Sequence, residues 1–245
     1  NARRGDADPT NQRITQLKQM LREDMPITDG STSAIPLDAA IRAGLFDISI
    51  GEAQAQVSHS TSHTAFTNLL SGSCELVFCH LLSDAQYQQA ETAGIAIEQT
   101  PIAREGFVFL VSKENPVDSL TAEQIKMIYA GKITNWSEVG GNDEPIIPYQ
   151  RNVDSGSQNY MSAFMGEIPL MQAPTALRPG SMDTLVDAIA GYDGAGGSIG
   201  YSVYSYVGGM YDADGGVKIL KVNEVAPSAA AIRNRRFLMA GWLGL

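Results

Sequence analysis

Apolar and polar positions along this chain follow two periods. Ile14, Leu17, Met20 and Leu21 recur at helical steps, which predicts one helix over residues 10–25. The polar run 28–33 interrupts it. A second helix is predicted over 35–43, with Pro36 in its first turn, where a missing N–H removes no helical bond. Further helices are predicted over 65–70, 84–93, 120–129, 158–165 and 182–190. The helix over 120–129 is capped by Ser119 or Thr121 and stopped by Gly131. Short β-branched and aromatic runs predict strands at 75–79, 95–97, 106–111, 146–149, 198–201 and 218–222. The run Gly106-Phe107-Val108-Phe109-Leu110-Val111 is the most apolar and reads as a strand buried on both faces. Residues 193–197 read as a flexible glycine-rich turn. Helices alternating with strands predict an α/β fold with mainly parallel sheets.

Composition narrows the function classes. The chain has 245 residues, 44% hydrophobic and 18% charged, which suits one large domain or two small lobes. No stretch approaches the roughly 18 consecutive apolar residues of a membrane helix. The formal net charge of −10 repels nucleic acid and anionic lipid, so neither is an expected partner. A small anion is not excluded, because a buried anion site depends on local donors. Cys74 and Cys79, five apart on one predicted strand, face opposite sides and read as buried free thiols; with the scattered histidines they make no zinc site.

Three segments share one pattern, a Ser/Thr/Gly cluster directly before a helix: Asp29 to Ser33, Ser60 to Thr64, and Asp154 to Ser157. The first turn of a helix carries unpaired N–H groups and a partial positive charge, and hydroxyls and glycine add donors and close approach. One such cluster is only a helix cap. Three, with Arg151 four residues before Ser155, suggest a shared oxyanion ligand, since a guanidinium grips two oxygens at once.

From residue 29 to about 219 the chain resembles the phosphate-binding proteins of ABC importers, which have the type II periplasmic binding-protein fold. The most specific match is Gly131-Lys132-Ile133-Thr134-Asn135-Trp136-Ser137-Glu138-Val139-Gly140-Gly141, followed by Arg151-Asn152-Val153-Asp154-Ser155-Gly156-Ser157-Gln158. Asp29-Gly30-Ser31-Thr32, the helix 64–72 and Ser198-Ile199-Gly200-Tyr201 match further elements. The resemblance implies two α/β lobes joined by two crossover strands, with the ligand in the cleft between them. Residues 1–26 would be an N-terminal helical extension, 27–106 with 200–245 the first lobe, and 107–199 the second. Phosphate would be bound by Gly30, Ser31, Thr32, Ser62, Thr64, Arg151, Ser155, Gly156 and Ser157, while Asn135 and Trp136 would be structural. The family places acids after the strand 75–79 and two residues beyond the arginine, to accept the proton of hydrogen phosphate. Here those places hold His80 and Val153, which leaves Asp154, Asp29 or a neutral His80 as acceptors. The basic segment 226–245 is shorter than in the family, which we ascribe to an omitted stretch, since 237–245 resembles the family's final helix.

The implied role is capture of inorganic phosphate outside the cytoplasm, as a periplasmic protein or surface lipoprotein, by a monomer that delivers it to an ABC permease. His59, His63 and His80 lie in no Gly-x-Ser-x-Gly or His-Glu-x-x-His motif, and there is no Gly-x-x-x-x-Gly-Lys-Ser/Thr loop. An enzyme is therefore not expected, and no cofactor, metal or catalytic residue is assigned. Two other readings stay open: a binder of another tetrahedral oxyanion, and an adhesin or sensor domain on the same fold.

Overall fold

The computed structural model describes residues 9–180, 182–190, 197–210, 216–237 and 240–244. The expected turn over 193–197 lies outside the described residues except for Gly197. The chain forms two compact units, residues 1–79 with 93–95 and residues 80–92 with 96–245. Among the described residues no helix is long and apolar enough to cross a membrane.

The first unit contains α1 (Pro9–Glu23), β1 (Thr28–Gly30), α2 (Ile35–Phe46), α3 (Ile50–Gln54), α4 (Ser62–Leu70) and β2 (Leu76–Phe78). β1 and β2 pair in parallel, with Gly30 opposite Phe78. α3, which the apolar pattern did not predict, starts at a capping box in which Ser49 and Glu52 exchange bonds. The stripe that predicts α1 is mostly exposed, at 47% for Ile14 and 63% for Met20, and the helix is tied down instead by Lys18 and Arg22 bonding Asp47. The buried apolar side chains of this unit are mostly small: Ala34, Ala39, Ala53 and Ala65, with Phe66 and Phe78. Polar groups fill the rest, with Asp29, Asp38 and His59 all buried. Cys74 and Cys79 are buried free thiols.

The second unit contains α5 (Asp84–Thr92), β3 (Pro101–Ser112), β4 (Ser119–Leu120), α6 (Ala122–Tyr129), β5 (Ile147–Pro148), α7 (Gly156–Met165), α8 (Met182–Ala190), β6 (Ser198–Val203), β7 (Val217–Ile219), β8 (Lys221–Val222), α9 (Ala229–Arg233) and β9 (Ala240–Gly244). The strand predicted from 106–111 is the centre of a five-stranded sheet. Phe107 to Val111 are buried on both faces of it, as continuous apolar runs require. Phe107, Phe109, Tyr129, Tyr160 and Tyr201 pack ring against ring, with centroids 5.2–6.5 Å apart, and form the middle of the core.

Three expectations are corrected. The sheets are mixed rather than mainly parallel: β1–β2, β4–β8 and β5–β6 are parallel, whereas β6, β7 and β9 all run antiparallel to β3. Alternation of element types predicts parallel pairing only when one helix joins two neighbours, and between β3 and β6 lie three helices and two strands. Residues 95–97 form no strand. The final segment is not a helix but β9, paired with the first half of β3, Arg104 opposite Trp242. Gly241 and Gly244 are poor helix formers, and the edge of β3 has backbone bonds to satisfy. β3 and β6, which cross the expected 106/107 and 199/200 boundaries, pair among the described residues only with strands of the second unit.

Candidate anion-binding site

In the first unit, β1 leads through Ser31 into a single 3-10 turn, Thr32–Ala34, and directly into α2. Gly30 is obligatory at the strand end, since a Cβ there would stand 2.4 Å from the carbonyl oxygen of Phe78 and 3.0 Å from the ring of His59. The Ser31 N–H donates to Phe78 O at 2.9 Å, and its hydroxyl pairs with that of Ser33. Thr32 is exposed at the start of the turn. Its N–H belongs to the first turn, where the helix offers no acceptor.

Asp29 holds this loop to the second cluster. Its carboxylate accepts from the N–H groups of Gly30 and Ser60, each at 2.7 Å, from the Ser60 hydroxyl at 2.7 Å and from Asn68 on α4 at 2.8 Å. Burial alone raises its pKa, but the four donors outweigh that and hold the carboxyl below its ordinary value. Asp29 is thus a saturated structural acceptor rather than a receiver of a ligand proton. At the start of α4, Thr61 is the cap; its hydroxyl oxygen accepts from Thr64 N and donates to the Thr64 hydroxyl. That turn takes up the Thr64 N–H, while half-buried Ser62, the first helical residue, keeps an N-terminal amide outside the helical ladder.

In the second unit, Arg151 follows β5 and is buried, 9% exposed. Its N–H donates to Tyr201 Oη at 2.9 Å and Gln158 Oε1 at 3.0 Å. Burial raises the Tyr201 pKa, so the hydroxyl stays protonated and donates in turn to Gln158 Oε1. A strand and a helix therefore clamp the backbone that carries the guanidinium, whose Nε and Nη2 donate to the carbonyls of Pro179 and Gly180, each at 3.2 Å. Asp154 adopts a left-handed conformation with φ 64°, which turns the chain into α7, and its carboxylate accepts from Ser83. Ser155 caps α7 by accepting from Gln158 N at 3.2 Å. The capping oxygen keeps its own proton to give. Gly156 and Ser157 are buried in the first turn of the helix, and the Ser157 hydroxyl finds no hydrogen-bond partner among the described residues.

His80, just past β2, is buried against α7, with Nδ1 3.2 Å from the Tyr160 hydroxyl. Burial pushes its pKa down to about 4, so the ring is neutral at physiological pH. Trp136 is buried and bonds Gly197 O through Nε1 at 3.0 Å, while Asn135 caps the following turn, so both are structural. The polar cluster under the first loop, Asp38, Arg42 and His59, was not anticipated as part of the site. The only sequence signal was a histidine inside the polar run before α4.

A profile described as the PBP superfamily domain matches residues 28–239, most of the chain. This chain belongs to that family. Its α/β frame is the type II periplasmic binding-protein fold. The chain is 26% identical over 181 residues to the phosphate-binding protein PstS of Bacillus subtilis (strain 168), covering 73% of this chain and 55% of that protein. It is 26% identical over 110 residues to PstS 2 of Streptococcus agalactiae serotype V, covering 45% of this chain and 36% of that protein. The chain thus spans between about a third and just over half of the length of these curated relatives. A Clostridium perfringens protein solved with bound phosphate superposes with a TM-score of 0.67 at 25% identity, over 89% of this chain and 84% of that one. An ABC-type phosphate transport receptor from Vibrio cholerae gives 0.60 at 21%, over 89% and 85%.

Proposed function

We propose that this chain is an extracytoplasmic solute-binding protein that captures inorganic phosphate for an ABC permease and catalyses no reaction. The observation that carries the reading is the buried hydroxyl of Ser157 in the first turn of α7, which has no partner among the described residues and lies six residues from a buried arginine. A buried hydroxyl without a partner costs about 1–3 kcal/mol, and a bound oxyanion removes that cost. In the first unit Thr32 and Ser62 supply amides and hydroxyls, Ser31 supplies its hydroxyl, and Gly30, whose N–H goes to Asp29, allows close approach of the backbone; in the second unit Arg151, Ser155, Gly156 and Ser157 supply donors for phosphate. Thr64 contributes through its place in the α4 cap, since its N–H is already bonded. The names of the relatives and the phosphate seen in the Clostridium perfringens protein agree with this reading.

Selectivity for hydrogen phosphate over sulfate needs an acceptor for the ligand proton, because an acceptor facing sulfate is left unpaired. Neutral His80 and the Asp154 carboxylate are the two groups proposed for it. Calorimetric titration of ligand-stripped protein with phosphate, then with sulfate at the same pH, tests the reading. Tight phosphate binding that is lost in Arg151→Ala is the expected result. Equal affinity for sulfate would assign the site to tetrahedral oxyanions in general. Binding of neither ion would favour the adhesin or sensor reading.

A further inference from the structure

His59 has a fully buried side chain in the first unit, stacked on Phe78 with ring planes 17° apart. Its two ring nitrogens face two acceptors. Nδ1 lies 2.8 Å from the carbonyl oxygen of Ser31, and Nε2 lies 3.2 Å from Oδ2 of Asp38. A carbonyl oxygen has no proton to donate. The Asp38 carboxyl also accepts from Arg42 Nε at 2.9 Å and from the Thr28 hydroxyl at 3.0 Å, while Arg42 Nη2 donates to that hydroxyl at 2.7 Å. Burial alone would raise the Asp38 pKa, but the bonds from His59 and Arg42 and the Arg42 charge hold it below its ordinary value. Asp38 is therefore a carboxylate, and both nitrogens of His59 must carry hydrogen.

We propose that His59 is a buried imidazolium that positions the first anion loop and makes its electrostatics suit an anion. This rests on the phosphate reading above. Two effects follow from the geometry. The bond to Ser31 O polarises the peptide whose other end is the Thr32 N–H, which strengthens that N–H as a donor. The charge balance of the cluster also changes. Asp38 faces Arg42 and His59, while the Asp29 carboxylate is bonded to the same loop at Gly30 N; with a neutral ring these groups leave one negative charge over beneath a loop meant for an anion, and the imidazolium cancels it. The missing side chain at Gly30 is what lets the ring lie this close to the loop.

The test has two arms. In wild-type protein labelled with 15N-histidine, both His59 nitrogens should resonate as protonated at pH 7, while His80 shows one protonated and one bare nitrogen. A bare nitrogen on His59 at that pH would overturn the imidazolium. In the second arm, His59→Gln keeps an N–H for Ser31 O but carries no charge, and its phosphate Kd should rise about tenfold or more. A Kd within twofold of wild type would overturn the positioning role. If wild-type protein takes no phosphate, the functional reading falls, and the ring spectrum still decides the charge of His59.

Discussion

Ser157→Ala separates ligand binding from folding, because the two effects have opposite signs. The Ser157 hydroxyl is buried in the first turn of α7 and has no partner among the described residues. Removing an unsatisfied buried hydroxyl relieves about 1 kcal/mol in the ligand-free protein, less a small loss for the void left behind. On the proposed reading the same hydroxyl would donate to a charged phosphate oxygen, a bond worth about 1.5–3 kcal/mol. At 1.4 kcal/mol per tenfold, that raises the phosphate Kd about tenfold to a hundredfold. Ligand-free stability, read by urea unfolding, should be unchanged or higher by up to about 0.5 M in midpoint. Calorimetry on the same preparation gives the Kd. A variant less stable than wild type, yet with unchanged phosphate affinity, would show that the hydroxyl packs and does not bind, and would remove the observation on which the site rests.

Two further expectations follow from the same structure. His80 has a folded pKa of about 4 against an ordinary 6.5, so its stability contribution is whole above about pH 6.5 and is lost as pH falls through about 4, up to roughly 3 kcal/mol. His80→Leu should remove that part of the acid sensitivity; equal pH slopes for wild type and variant between pH 7 and 4.5 would contradict a buried neutral ring. Gly30→Ala must displace either Phe78 O or the His59 ring, and the overpacking plus a weakened Ser31 N–Phe78 O bond should destabilise the first unit by about 2–4 kcal/mol. A melting temperature equal to wild type would refute that close packing.

Much of this protein is set by local sequence. The apolar period places α1, α2, α5, α6, α7 and α8 within a few residues, since those segments carry their own caps and stops: Pro36 in the first turn of α2, Thr121 before α6, Gly131 after it, Ser155 before α7. The unbroken apolar run of β3 likewise foretells a strand buried on both faces. The donor clusters were legible for the same reason, because hydroxyls and glycines before a helix act within four residues. Tertiary structure alone decided which of those donors remain to be given. It spends the Asp29 carboxylate on Gly30, Ser60 and Asn68, puts Thr61 in the α4 cap, and leaves the Ser157 hydroxyl without a partner among the described residues. It also decided strand direction around β3 and the pairing of β9, because a strand's partner is chosen across the fold and not along the chain. The charge of His59 belongs to the same class. A histidine in a polar run reads as ordinary surface until folding brings Asp38 and Ser31, twenty-one and twenty-eight residues earlier, to its two nitrogens.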